Sequence, residues 1–107
     1  MLRIADQGVI SHQPGRGAYM PVVTPLPDGT CIACQHVGAG LGADDNHIEV
    51  LRSADGRTWQ NEGSIHRSRE TGQRGLPGDG YAYRGPRLDA VPDGRLVMSA
   101  TRFETAA

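Results

Sequence analysis

The tripeptide Pro-Asp-Gly occurs twice, at Pro27-Asp28-Gly29 and at Pro92-Asp93-Gly94, with 65 residues between the two starts. This punctuation constrains the fold more than any other feature of the chain. Proline presets its own φ, and glycine accepts positive φ. Short, apolar, β-branched stretches flank each copy: residues 20–26 and 30–37 around the first, 87–91 and 95–98 around the second. A tight turn between two such stretches reads as a β-hairpin. A hairpin that returns at a fixed distance reads as a repeated unit, and a single unit of that kind cannot bury both of its faces.

The rest of the chain extends the first hairpin. Residues 38–45 form a glycine-rich loop. Residues 47–52 alternate as a third strand, with Ile48 and Val50 on one face. Ala54-Asp55-Gly56-Arg57 turns the chain into a short fourth strand over residues 58–65. Residues 67–80 are polar and glycine-rich and read as an exposed loop, with His66-Arg67-Ser68-Arg69 solvated at its start. No segment carries a helical period, so the expected class is all-β and antiparallel, in four-stranded units. With one Trp, one Phe and three Tyr, the chain can build only a thin core.

A formal net charge of −1 offers no electrostatic reason to expect nucleic acid or an anionic membrane as partner. No apolar run is long enough to span a membrane, and the first residues lack the apolar stretch of a signal peptide. Two cysteines do not fix a redox compartment.

The most specific segment is Ser53-Ala54-Asp55-Gly56-Arg57-Thr58-Trp59. It resembles the Asp box of sialidases and related bacterial-neuraminidase-repeat β-propellers, which links the third and fourth strands of a blade. This copy lacks the residue that the commonest form carries between Asp and Gly. Each residue type has a turn or packing role. Asp55 accepts backbone N–H groups, Gly56 relieves the backbone, and Ser53 adds a local hydrogen bond. Thr58 opens the next strand, and Trp59 supplies the largest apolar surface and is expected to pack inward. The box is therefore read as a staple of the blade.

The resemblance implies a propeller, six-bladed in the full parent, of which residues 1–107 would hold about one and a half blades. Residues 1–15 would be an outer strand or lead-in, residues 16–66 the first blade, and residues 81–107 the start of the second. The partners it implies are the remaining blades and a glycan bound at the central face. The implied activity is glycoside hydrolysis; a propeller that binds glycans or proteins without catalysis, or a purely structural repeat, is the alternative reading. Members of this family open the first blade with Arg-Ile-Pro, and here Tyr19-Met20-Pro21 stands in that place, with tyrosine instead of the arginine that holds a substrate carboxylate. The family's general acid/base lies in the loop before the third strand, where this chain has Asp44 and Asp45. Those two are either the catalytic acid and its neighbour or a solvated loop pair. The family's nucleophilic tyrosine and its glutamate come from later blades, so the 107-residue chain alone is expected to be inactive on sialosides.

Two further groups carry chemistry. Arg84 and Arg87, at the start of the second unit, can present planar donor forks to a carboxylate or to sugar hydroxyls; the competing reading is exposed charge at a strand end. Cys31-Ile32-Ala33-Cys34 has the spacing of a metal or redox pair, but residues three apart on a strand point to opposite faces and no helix follows. Small strand cysteines explain it better, and neither a metal nor a cofactor is expected.

Overall fold

The computed structural model describes residues 3–42, 46–65 and 81–104. The chain is all-β. Four strands, β1 (Gly17–Pro25), β2 (Cys31–Gly38), β3 (His47–Ser53) and β4 (Gln60–Ile65), form one sheet in sequential antiparallel order. Two more, β5 (Tyr81–Ala90) and β6 (Leu96–Glu104), pair antiparallel as a second sheet. Among the described residues there is no helix. The loop expected over residues 67–80, with His66 and Arg69, lies outside the described residues, as do Asp44 and Asp45.

Both Pro-Asp-Gly segments make the same turn. Gly29 N–H donates to the Leu26 carbonyl at 3.0 Å, Leu26 N–H donates to Thr30 at 2.8 Å, and Gly29 takes φ 90°. In the second hairpin Gly94 N–H donates to Val91 at 3.0 Å, Val91 N–H donates to Arg95 at 2.9 Å, and Gly94 also takes φ 90°. The aspartates fasten the turns from inside: Asp28 Oδ1 accepts from Thr30 N–H at 3.0 Å, and Asp93 Oδ1 from Arg95 N–H at 3.1 Å. A three-residue turn that ends on a left-handed glycine sets the register of a twisted hairpin.

The repeat reaches further back than the turns. The β1–β2 register shifts between Tyr19 and Val22, and the β5–β6 register shifts between Arg84 and Arg87. Each interruption holds a residue in the left-handed region followed by proline: Met20 at φ 53° before Pro21, Gly85 at φ 60° before Pro86. Proline cannot donate to a ladder, so the strand must bulge there. The strands accordingly start earlier than the apolar pattern suggests, at Gly17 and Tyr81, because the bulge lets pairing continue past the proline.

The second sheet packs on one face of the first. Ile32, Cys34 and Ile48 from the first sheet meet Tyr83 and Leu88 from β5, with Val22, Val50 and Met98 at the margin. Thr24 Oγ1 donates to the Leu88 carbonyl at 3.0 Å, and Tyr83 N–H donates to the Asn46 carbonyl at 3.1 Å, so the sheets are also tied by backbone groups. The opposite face of the first sheet carries Ala33, Gln35, Val37, Glu49 and Leu51. Residues 3–15 run over this face without joining a sheet. Because both faces are in contact, β2 is buried along nearly its whole length.

Candidate functional site

The two bulges and the loop after β2 meet at one end of the molecule. His36, near the end of β2, is fully buried there. Gly85 N–H, freed from the ladder by the β5 bulge, donates to His36 Nδ1 at 3.1 Å. The Tyr19 ring, just before the β1 bulge, lies tilted 30° against the His36 ring with centroids 5.4 Å apart. On the loop side, Asn46 Nδ2 donates to the Leu41 carbonyl at 3.0 Å, and Arg84 Nη2 donates to the Gly42 carbonyl at 2.8 Å. Each bulge thus places one conspicuous side chain: tyrosine in the first unit, arginine at the corresponding position of the second.

The electrostatics of His36 follow from this packing. Burial pushes its pKa below the ordinary histidine value, the Leu41 carbonyl opposes that shift, and the charge of Arg84 adds to it. Because Nδ1 accepts a hydrogen bond, the neutral ring carries its proton on Nε2. Nε2 makes no hydrogen bond of ordinary geometry, and neither does Asn46 Oδ1, although both residues are fully buried. A neutral imidazole held in this tautomer is poorly arranged for metal ligation through Nε2. Among the described residues no cluster of three or more His, Cys, Asp or Glu side chains is placed to hold a metal ion.

Of the arginines singled out in the sequence, Arg84 belongs to this site and is half-buried. Arg87, beyond the bulge on β5, is exposed. The bulge between them means that simple strand alternation does not relate their directions. The flanks of the predicted acid pair, Gly42 and Asn46, border the same site, while Asp44 and Asp45 are themselves outside the described residues.

The segment from Ser53 to Trp59 forms a closed local network between β3 and β4. Asp55 Oδ1 accepts from the N–H groups of Arg57 and Thr58, both at 2.8 Å. Ser53 Oγ accepts from Gly56 N–H at 2.7 Å and from Asp55 N–H at 3.3 Å, and donates to Asp55 Oδ1 at 3.2 Å. Gly56 takes φ 78°. The backbone donors of Thr58 and Arg57 hold the Asp55 carboxyl below the usual aspartate range. Trp59 differs from expectation. It sits half-buried in the turn just before β4, with Nε1–H donating to the Gly56 carbonyl at 3.2 Å. The ring braces the turn and fills none of the core between the sheets, which is built from β2, β3 and β5. The cysteines separate as strand geometry requires: Cys34 is in the core and its thiol is pushed up to about 11 by burial, while Cys31 is half-buried opposite Ser53.

No protein-family model, curated protein or solved structure matches the chain.

One buried group escaped the sequence reading. Glu49, on β3, is 1% exposed and lies on the face away from β5. It accepts hydrogen bonds from Gln35 Nε2 at 2.7 Å, Asn61 Nδ2 at 2.7 Å, Gln13 Nε2 at 2.9 Å and Ser11 Oγ at 2.9 Å. All four donors are neutral. The alternation of residues 47–52 put Ile48 and Val50 on one face and so put Glu49 on the other, but no local pattern announced that residues 11 and 13 would cover it.

Proposed function

We propose that the chain supplies one blade and the opening hairpin of a second to a sialidase-like propeller that acts on glycans. The observation that carries this reading is the double repeat, in which a proline bulge and a Pro-Asp-Gly turn recur together 65 residues apart. The Asp-box network between the third and fourth strands of the first sheet supports it. In this reading the glycan meets the end of the blades where Tyr19, His36 and Arg84 gather. Arg84 is the cation placed to recognise a carboxylate or sugar hydroxyls, because a guanidinium offers a planar fork of donors. Asp44 or Asp45 donates the proton to the departing glycosidic oxygen, and the nucleophile comes from another blade.

The test is fluorogenic glycoside cleavage by the parent protein and by the 107-residue chain. The parent is expected to be active and the short chain inactive, because substrate anchor, acid and nucleophile must be held together across the ring. Replacing the correct aspartate, by Asp44→Asn or Asp45→Asn, is expected to lower the parent's turnover by about 10²–10⁴-fold. A parent indifferent to both replacements refutes the assignment of the acid, and cleavage by the short chain refutes the division of labour between blades.

A second reading, a propeller that binds glycans without cleaving them, is favoured by Tyr19. The ring stands where the related enzymes keep a carboxylate-binding arginine, and it lies against a neutral histidine. Saccharide binding by a parent that cleaves no glycoside selects this reading over the first.

A further inference from the structure

We propose that residues 3–15 form a detachable strap, latched to the first sheet by the Glu49 carboxylate and able to leave while the sheet stays folded. The strap is lightly anchored. It joins no sheet, and two of its three large apolar side chains face outward, Ile4 77% and Val9 80% exposed, while Ile10 is half-buried. Its ion pair, Asp6 with Arg57 at 3.2 Å, joins two exposed side chains and contributes little. What fastens it is polar and central. Ser11 Oγ lies 3.1 and 2.9 Å from the two Glu49 oxygens, and Gln13 Nε2 donates at 2.9 Å. Gln35 and Asn61 hold the same carboxylate from the sheet side, so they keep it aimed at the strap and partly solvated when the strap departs.

Open surface pockets lie on either side of the latch. One, of about 380 Å³, is lined by residues 6–10 together with Gly56 and Arg57. A second, of about 160 Å³, lies between Ser11, His12, Gln13 and Val37. The strap also has a hinge. Arg16 N–H donates to the Gln13 carbonyl at 3.1 Å across Pro14-Gly15, with Gly15 at φ 75°, a type II turn that ends where β1 begins. Rotation at this glycine swings the strap without disturbing the β1–β2 ladder. Hydrogen bonds to a buried charged acceptor are among the stronger ones, so two donors from the strap suffice to hold it closed.

Limited trypsin digestion of the full chain tests the proposal, with cleavage after Arg16 reporting the strap and cleavage after Arg52, within β3, reporting unfolding of the sheet. In the wild-type chain Arg16 is expected to be cut before Arg52. The double replacement Ser11→Ala with Gln13→Ala, which leaves every sheet residue intact, is expected to speed cleavage after Arg16 by about tenfold or more and to leave cleavage after Arg52 unchanged. Glu49→Gln, which removes the charge and replaces one of the two acceptor oxygens by a donor, is expected to reproduce the faster cleavage at Arg16. Equal rates at Arg16 and Arg52 in both the wild type and the double variant overturn the proposal, because the strap then opens only with the whole fold. An unchanged Arg16 rate in the double variant overturns the role of the latch.

Discussion

His36 concentrates the chemistry of the site in one ring. Its Nδ1 accepts from Gly85 N–H, so protonation sets two donors against each other and adds a cation beside Arg84. The folded-state pKa is lowered, so the unfolded chain binds the proton more readily over the interval between the folded value and the ordinary histidine value of about 6.5. Stability therefore rises with pH through that interval and falls on acidification, levelling once the pH is below the folded value. Urea melts between about pH 7.5 and 5.5 are expected to show this loss, and His36→Gln, which keeps an acceptor for Gly85 but does not titrate, is expected to flatten it. An equally steep dependence in His36→Gln assigns the effect to another group. Asp55 shows the opposite case. Backbone donors lower its pKa, so what its turn contributes is complete at neutral pH and is lost only as the pH drops through and below the aspartate range.

At the scale of the strands, the two hairpins carry the same bulge with different residues at its left-handed position. Glycine holds φ 60° in β5 without penalty, whereas Met20 holds φ 53° in β1 with a side chain that disfavours it. A Cβ on Gly85 would meet Met20 Cε at 3.7 Å and Sδ at 3.8 Å, ordinary contact distances, so crowding is not an issue there. Gly85→Ala is therefore expected to cost about 1–2 kcal/mol from backbone strain alone. Met20→Gly is expected to recover up to about 1 kcal/mol, since the methionine is 58% exposed and gives up little packing. Denaturant melts of the two single variants check both signs. These elements also show what local chemistry reveals. The Pro-Asp-Gly turns, the hairpins and the third strand are legible because turn residues and alternation are local signals. The fourth strand begins at Gln60, two residues later than alternation suggests, because the hydrogen bonds of Asp55 keep Thr58 in the turn and Trp59 follows it there. The bulges were not legible, since a proline inside a strand says only that the ladder breaks and the partner strand decides how. The cover that Ser11 and Gln13 place over Glu49 and the hydrogen bond from Gly85 to His36 span 36 to 49 residues in sequence, and no short window of the chain contains them.

Across the whole molecule the two sheets are unequal. The first is covered on both faces, by β5 and by the lead-in, and holds most of the buried residues: Ile32, Ala33, Cys34, Val37, Ile48 and Leu51, with His36 and Glu49 among them. The second contributes Ala82, Tyr83 and Leu88 to that interior, all from β5. Its partner β6 is different. Among the described residues β6 pairs only with β5, and Leu96 and Val97 at its start are 37% and 51% exposed. Val23 on β1 is 51% exposed as well. Apolar residues on a strand with an unpaired edge invite another strand to add, because the edge already presents a row of donors and acceptors. Within a propeller a further strand of the same blade would take that edge and an adjoining blade would cover the apolar side chains. Alone in solution, the 107-residue chain is expected to satisfy the edge with another copy of itself. Light scattering after size exclusion is expected to show a concentration-dependent rise above the monomer mass of 11.4 kDa. Val97→Lys, which puts a charge on the β6 edge, is expected to reduce that rise, as charged residues do on natural edge strands. A monodisperse monomer at every concentration, with a cooperative melt well above room temperature, contradicts both the open edge and the reading of these sheets as parts of a larger ring.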